Sequence, residues 1–139
     1  MPAKPPLEAD LEWRGDLRFE TRSRDKTAPI DADGKQAPSP VETLAFALAS
    51  CMASDVVHIL GKQRQGLESL RAHFVGWRAE QEPRRFLKIE LRFVLRGELE
   101  ADKVERAIAL SRETYCSVWH SMRQDIAFEV GFTIEPGSA

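Results

Sequence analysis

Apolar and polar side chains alternate through "EADLEWRGDLRFETR", residues 8 to 22, on either side of the turn-forming Arg14-Gly15-Asp16. A period of two predicts a β-hairpin with Leu11, Trp13, Leu17 and Phe19 on its buried face. A short strand near Ile30 should follow, then an exposed, mobile loop rich in Gly and Pro as far as Pro40. The pattern then changes. "SPVETLAFALASCMASDVVHILGKQRQG" carries a helix-start signal in Ser39 and Pro40, basic Lys62 and Arg64 near its end, and Gly66 as a stop. This predicts a helix from Val41 to Gln65, with Gly61 a weak point inside it. The helix is apolar nearly all round through Leu60, and such helices lie inside a large core or between subunits. A chain of 139 residues can scarcely bury it alone, so a homodimer that sandwiches it is expected.

In the second half, "LRAHFVGWRAEQ" and "RRFLKIELRFVLRG" read as paired strands joined by a turn at Pro83. Alternation sets Phe86, Lys88, Glu90 and Arg92 against Leu87, Ile89, Leu91 and Phe93. Val104, Ala107 and Ile108 recur at helical spacing, predicting a helix from Ala101 to Tyr115 that ends near Cys116. "VWHSMRQD" has the makings of another helical turn or two, and "IAFEVGFTIE" of a final strand. The order β-β-β-α-β-β-α-α-β predicts an α+β fold, an antiparallel sheet packed on helices, in a single domain over residues 1–139.

Composition narrows the function classes. A net charge of −2 and a pI near 6.0 give no electrostatic reason to bind nucleic acid or an acidic membrane surface. "MPAKPPLEAD" lacks the apolar core of a signal peptide, and the run around Cys51, interrupted by Asp55, reads as too short to span a bilayer comfortably. A cytoplasmic protein outside the membrane is expected. The two cysteines, 65 residues apart, are then poor candidates for a permanent staple, because reducing compartments keep such thiols reduced. A transient redox pair stays open.

Candidate chemistry gathers around Cys51. Asp55 lies four and His58 seven residues beyond it, so on a helix all three fall on one face within about 60°. In one reading His58 supports a thiolate or shuttles a proton while Asp55 orients it. In the other, both are polar groups that satisfy an interface, and Cys51 is a small buried hydrophobe. Cys51, His58, Cys116 and His120 also supply the residue types of a Cys₂His₂ zinc set, but not the spacing of short zinc motifs. No metal or cofactor is assigned.

"PSPVETLAFALASC", "MASDVVHILGKQRQ" and "SRETYCSVWHSM", with the flanking order of strands, resemble the OsmC/Ohr family of osmotically inducible and organic hydroperoxide resistance proteins. The resemblance implies an OsmC-like fold, with antiparallel sheets wrapped around long central helices in an intertwined homodimer. It implies that Cys51 attacks an organic hydroperoxide or another thiol-reactive small molecule, and that Cys116 captures the resulting sulfenic acid as a disulfide. A dithiol of the lipoyl type would then reduce that disulfide. The alternative is a noncatalytic dimer holding a hydrophobic molecule or a metal at the same interface. Peroxidase members stabilise the thiolate with an arginine held by a glutamate directly after the helix-starting proline. Here that position is Val41, and Glu42 stands nine residues before Cys51, on the far side of a regular helix. Glu42 is therefore a poor stand-in. Any arginine must come from Arg14, Arg18, Arg22 or Arg24. This combination is similar to an OsmC-like branch that keeps both cysteines and an Asp-Val-Val motif without the arginine and glutamate pair.

Overall fold

A computed structural model describes residues 4–138 and divides into two compact units that meet in sequence at Ala45 and Phe46. The elements come in the predicted order, and the fold is mixed α+β with two sheets and helices.

The first unit holds an antiparallel sheet of β1 (Asp10–Trp13), β2 (Arg18–Ser23) and β3 (Lys26–Asp31), in that spatial order. Trp13 faces Phe19 across the hairpin. Its turn closes through Gly15 (φ 102°) and Asp16 (φ 48°), two residue types that tolerate left-handed backbone. The predicted face is present but not buried: Leu11, Trp13 and Leu17 are exposed, Trp13 by 65%, and Phe19 is half-buried. Three short strands have too few neighbours within their own unit to cover it.

The loop after β3 is organised by Asp31, which is buried. Its carboxylate accepts the backbone N–H groups of Asp33 (3.0 Å) and Gln36 (3.1 Å). Those donors, Gln36 foremost, hold the Asp31 carboxyl below the usual range. Helix α1 (Pro40–Lys62) then starts on a reciprocal cap. The Ser39 Oγ accepts the Glu42 N–H (3.1 Å), and the Ser39 N–H donates to the Glu42 carboxylate (3.0 Å). At the other end the Gln65 N–H reaches back to the Leu60 carbonyl (3.0 Å) and Arg64 takes the left-handed conformation (φ 56°). Arg64 thus stops the helix, where Gly66 was the predicted stop. Gly66 instead opens the next strand.

The second unit carries α1 from Phe46 onward and a sheet of β4 (Gly66–Arg78), β5 (Phe86–Glu98) and β6 (Ala127–Glu135), in that order. β4 and β5 pair antiparallel, but β6 runs parallel to β5, so the sheet is mixed where an antiparallel one was expected. The connection explains this. Between β5 and β6 the chain passes through α2 (Ala101–Leu110), a wide helical turn over Ser111–Tyr115 and the short α3 (Ser117–His120), enough chain for the crossover that parallel strands require. The predicted helix to Tyr115 is regular only as far as Leu110.

Ile89, Leu91, Phe93 and Leu95 point inward from β5 as the alternation requires. Near the start of the strand the pattern breaks, because Trp77 pairs with Lys88 and Arg78 with Phe86. Leu87 is the extra residue of a bulge, so it is 45% exposed while Phe86 turns inward. Gly76 makes room for that inward ring, since a Cβ there would lie 2.4 Å from a Phe86 ring carbon. The core adds Leu48, Met52, Val56 and Leu60, a stripe along α1 at intervals of four, with Val104, Ala107 and Ile108 from α2. Each aliphatic side chain fully withdrawn from water contributes roughly 1.5–3 kcal/mol. By length and composition alone α1 is long and apolar enough to cross a membrane, whereas its apolar run reads in sequence as too short to do so comfortably. Its fully buried stripe is that of a core helix. Phe46 (60% exposed) and Val57 lie outside that stripe.

Candidate active site

Cys51 sits at mid-length in α1, next to core residue Met52 and at the border of the buried stripe, so its thiol is half-buried. Cys116 comes from the crossover, between the wide turn and α3, and is wholly buried. Two contacts fix it. Its N–H donates to the Ser111 carbonyl five residues back (2.8 Å), and its Sγ accepts the Trp119 N–H (3.4 Å), capping α3. Trp119 is itself held on β6, with its ring 4.4 Å from that of Phe128. Arg112 adds a second tie to that strand, donating to the Phe128 carbonyl (2.6 Å).

The fold thus makes neighbours of two cysteines far apart in sequence, and both are free thiols. Burial pushes the Cys116 thiol up to about 11; the Trp119 N–H pulls against that, and nearby Cys51 raises it further. Cys116 therefore stays protonated at neutral pH.

One turn beyond Cys51, Asp55 accepts a hydrogen bond from the Ser111 hydroxyl at 2.7 Å. Asp55, His58, Ile59 and Lys62 from α1 meet Leu110 and Tyr115 around a cavity of about 360 Å³. His58 is exposed at this cavity, and the Asp55 carboxylate is engaged by Ser111. Glu42 lies in the first unit, where its carboxylate closes the cap of α1. Of the hairpin arginines, Arg14 is paired with Glu12 and Glu20, Arg22 with Glu20, and Arg18 donates to Gln36. Among the described residues no three His, Cys, Asp or Glu side chains converge as a metal would need, so the conceivable zinc set is not assembled.

Sequence reasoning missed Ser111, Lys62 and Tyr115. Ser111 had a usable signal: it continues the apolar stripe of Val104, Ala107 and Ile108 at helical spacing, and a hydroxyl in a core position needs a partner.

Fold and site together describe an α+β protein with a pair of neighbouring free thiols between a core helix and a crossover turn. The chain belongs to the OsmC-like protein family, whose model matches residues 32–131. It is similar to Protein YhfA of Escherichia coli K12, 37% identical over 115 residues that cover 81% of this chain and 86% of that protein. Among solved structures, a hypothetical protein from Aquifex aeolicus superposes with a TM-score of 0.89 at 26% identity, over 96% of this chain and 98% of that one. An organic hydroperoxide resistance protein OsmC from Legionella pneumophila superposes with a TM-score of 0.69 at 17% identity, over 95% and 99% of the two chains. That last likeness is one of fold.

Proposed function

We propose that this protein is a two-cysteine redox protein of stress defence, which reduces organic hydroperoxides through a reversible Cys51–Cys116 disulfide. The observation that carries the proposal is the pairing of a half-buried thiol with a wholly buried one whose ionisation is suppressed. The asymmetry divides the labour. Cys51, as thiolate, attacks the terminal peroxide oxygen; the O–O bond breaks, the alkoxide leaves and takes a proton to become an alcohol, and Cys51 is left as sulfenic acid. The Cys116 sulfur then attacks the sulfenic sulfur, and hydroxide departs with the Cys116 proton as water. A small dithiol, of the lipoyl class, supplies two electrons to reopen the disulfide and is itself oxidised to a cyclic disulfide.

His58 shares a face of α1 with Cys51 and Asp55, and it shuttles protons between this site and solvent. The cavity beside Asp55, partly lined by Ile59, Leu110 and Tyr115, suits an apolar organic group.

The working form is a homodimer in which a second copy covers the exposed side of α1. Phe46 and Val57 on the helix, and separately Leu11, Trp13 and Leu17 on the hairpin, are exposed apolar side chains that a second copy would cover. The reducing cytoplasm is the setting, and no nucleic acid or membrane takes part.

The same cavity supports a second reading, a noncatalytic dimer that holds a hydrophobic molecule without turnover. Consumption of cumene hydroperoxide with dihydrolipoamide as reductant decides between them. Multiple turnovers in wild type, lost in Cys51→Ser, support the peroxidase. Hydroperoxide left intact by wild type overturns it and leaves the binding protein.

A further inference from the structure

Ser111 is fully buried, and it is joined to both sides of the thiol pair. Its hydroxyl donates to Asp55 (2.7 Å), one helical turn from Cys51, and its carbonyl accepts the Cys116 N–H (2.8 Å). The links close a ring: along α1 from Cys51 to Asp55, across the hydrogen bond to Ser111, through the wide turn to Cys116, and back to Cys51.

From this geometry we infer that Ser111 and Asp55 are positioning residues that fix the separation and register of Cys51 and Cys116, and so set how readily their disulfide closes. The inference rests on the redox reading above and extends it to two residues that touch neither substrate nor reductant.

Closing a disulfide inside a folded protein is favoured by the effective concentration of one thiol at the other, and a geometry held in register raises that concentration. The wide turn is a five-residue segment, and such turns occur where a helix is locally distorted. The Ser111 hydroxyl is its tie to α1. A hydrogen bond to a carboxylate is among the stronger kinds, and when Ser111 loses its hydroxyl Asp55 is left without that donor. The turn then keeps its anchor on β6 but loses this one to α1, and the two sulfur atoms meet less often.

The test is the equilibrium of the full-length protein with mixtures of reduced and oxidised dithiothreitol, read as the fraction of Cys51–Cys116 disulfide by intact mass. In that exchange the two thiols lose two protons and two electrons to oxidised dithiothreitol, which becomes the dithiol. Ser111→Ala should lower the disulfide equilibrium constant about tenfold, a rise in potential of about 30 mV. Asp55→Asn keeps an acceptor without its charge and should give a smaller shift in the same direction, which serves if Ser111→Ala does not fold. Val104→Ala loosens α2 without touching the ring, and should lower the melting temperature while leaving the disulfide equilibrium constant within twofold of wild type. Equilibrium constants within twofold of wild type in Ser111→Ala and Asp55→Asn overturn the inference, as does an equal shift in Val104→Ala. If wild type itself forms no disulfide across the series, the redox reading fails, and this inference fails with it.

Discussion

The suppressed ionisation of Cys116 can be read directly as a chemical rate. Iodoacetamide reacts with thiolates, so the alkylation rate at a given pH scales with the thiolate fraction and with access. An ordinary value of 9.0 moved to about 11 cuts that fraction roughly a hundredfold at pH 8, and a wholly buried sulfur adds a barrier of access to it. The assay labels reduced protein at pH 8, native and in guanidinium, and follows each cysteine-containing peptide by mass. Cys116 should react at least about a hundredfold more slowly in the folded protein than in the denatured chain. In Cys51→Ser the rate should rise somewhat, because the neighbouring thiol is one cause of the shift, but burial is the larger cause and remains. The same shift makes folding sensitive to alkali. The folded protein keeps its Cys116 proton through the window from about 9 to about 11 in which the unfolded chain loses it, so this contribution is complete below pH 9 and falls by about 3 kcal/mol as pH rises through that window. A folded-state rate within tenfold of the denatured rate would mean that the Cys116 thiol is neither suppressed nor shielded in the fold.

Two further expectations concern stability. Phe93→Ala removes a fully buried ring and should cost about 3–5 kcal/mol by denaturant titration, while Leu87→Ala, on the bulge of the same strand, should cost under about 1 kcal/mol; equal losses would contradict the bulge. Ser39→Ala should cost about 1 kcal/mol by removing the cap of α1. The Glu42 carboxyl is held below its usual value, chiefly by the Ser39 N–H, so its contribution is present above the ordinary carboxylate range and is lost as pH falls through the folded value. Glu42→Gln should flatten the stability profile in acid, and an unchanged profile would count against the cap.

The element order and the apolar character of α1 were legible because they depend on local pattern, whereas the single buried stripe of Leu48, Met52, Val56 and Leu60 was not. What escaped sequence reading depends on partners. Leu87 and Phe86 exchange faces because of one unpaired residue, and nothing in "RRFLKIELRF" marks which residue a bulge will leave out. The parallel direction of β6 is set by the crossover that precedes it, and its own alternation is the same in either orientation. Arg64, with no Gly signal, ends α1 because the Leu60 carbonyl finds the Gln65 N–H. The same holds at the site. Cys51 and Asp55 share a helix face by simple spacing, whereas the approach of Cys116 and the bond from Ser111 arise only when the crossover folds back on α1. Glu42 met its partner locally, in Ser39 three residues away, and the S-x-x-E spacing of a capping box was present in the sequence.

Whether Cys51 and Cys116 form a reversible pair is decided by intact mass and peptide mapping of the reduced protein after a brief pulse of cumene hydroperoxide, in wild type and Cys116→Ser. Wild type should lose two mass units through one Cys51–Cys116 bond, reversed by dihydrolipoamide, and the variant should trap a sulfenic acid on Cys51. Two thiols that remain free after the pulse, or a bond formed only between different molecules, would contradict the pairing.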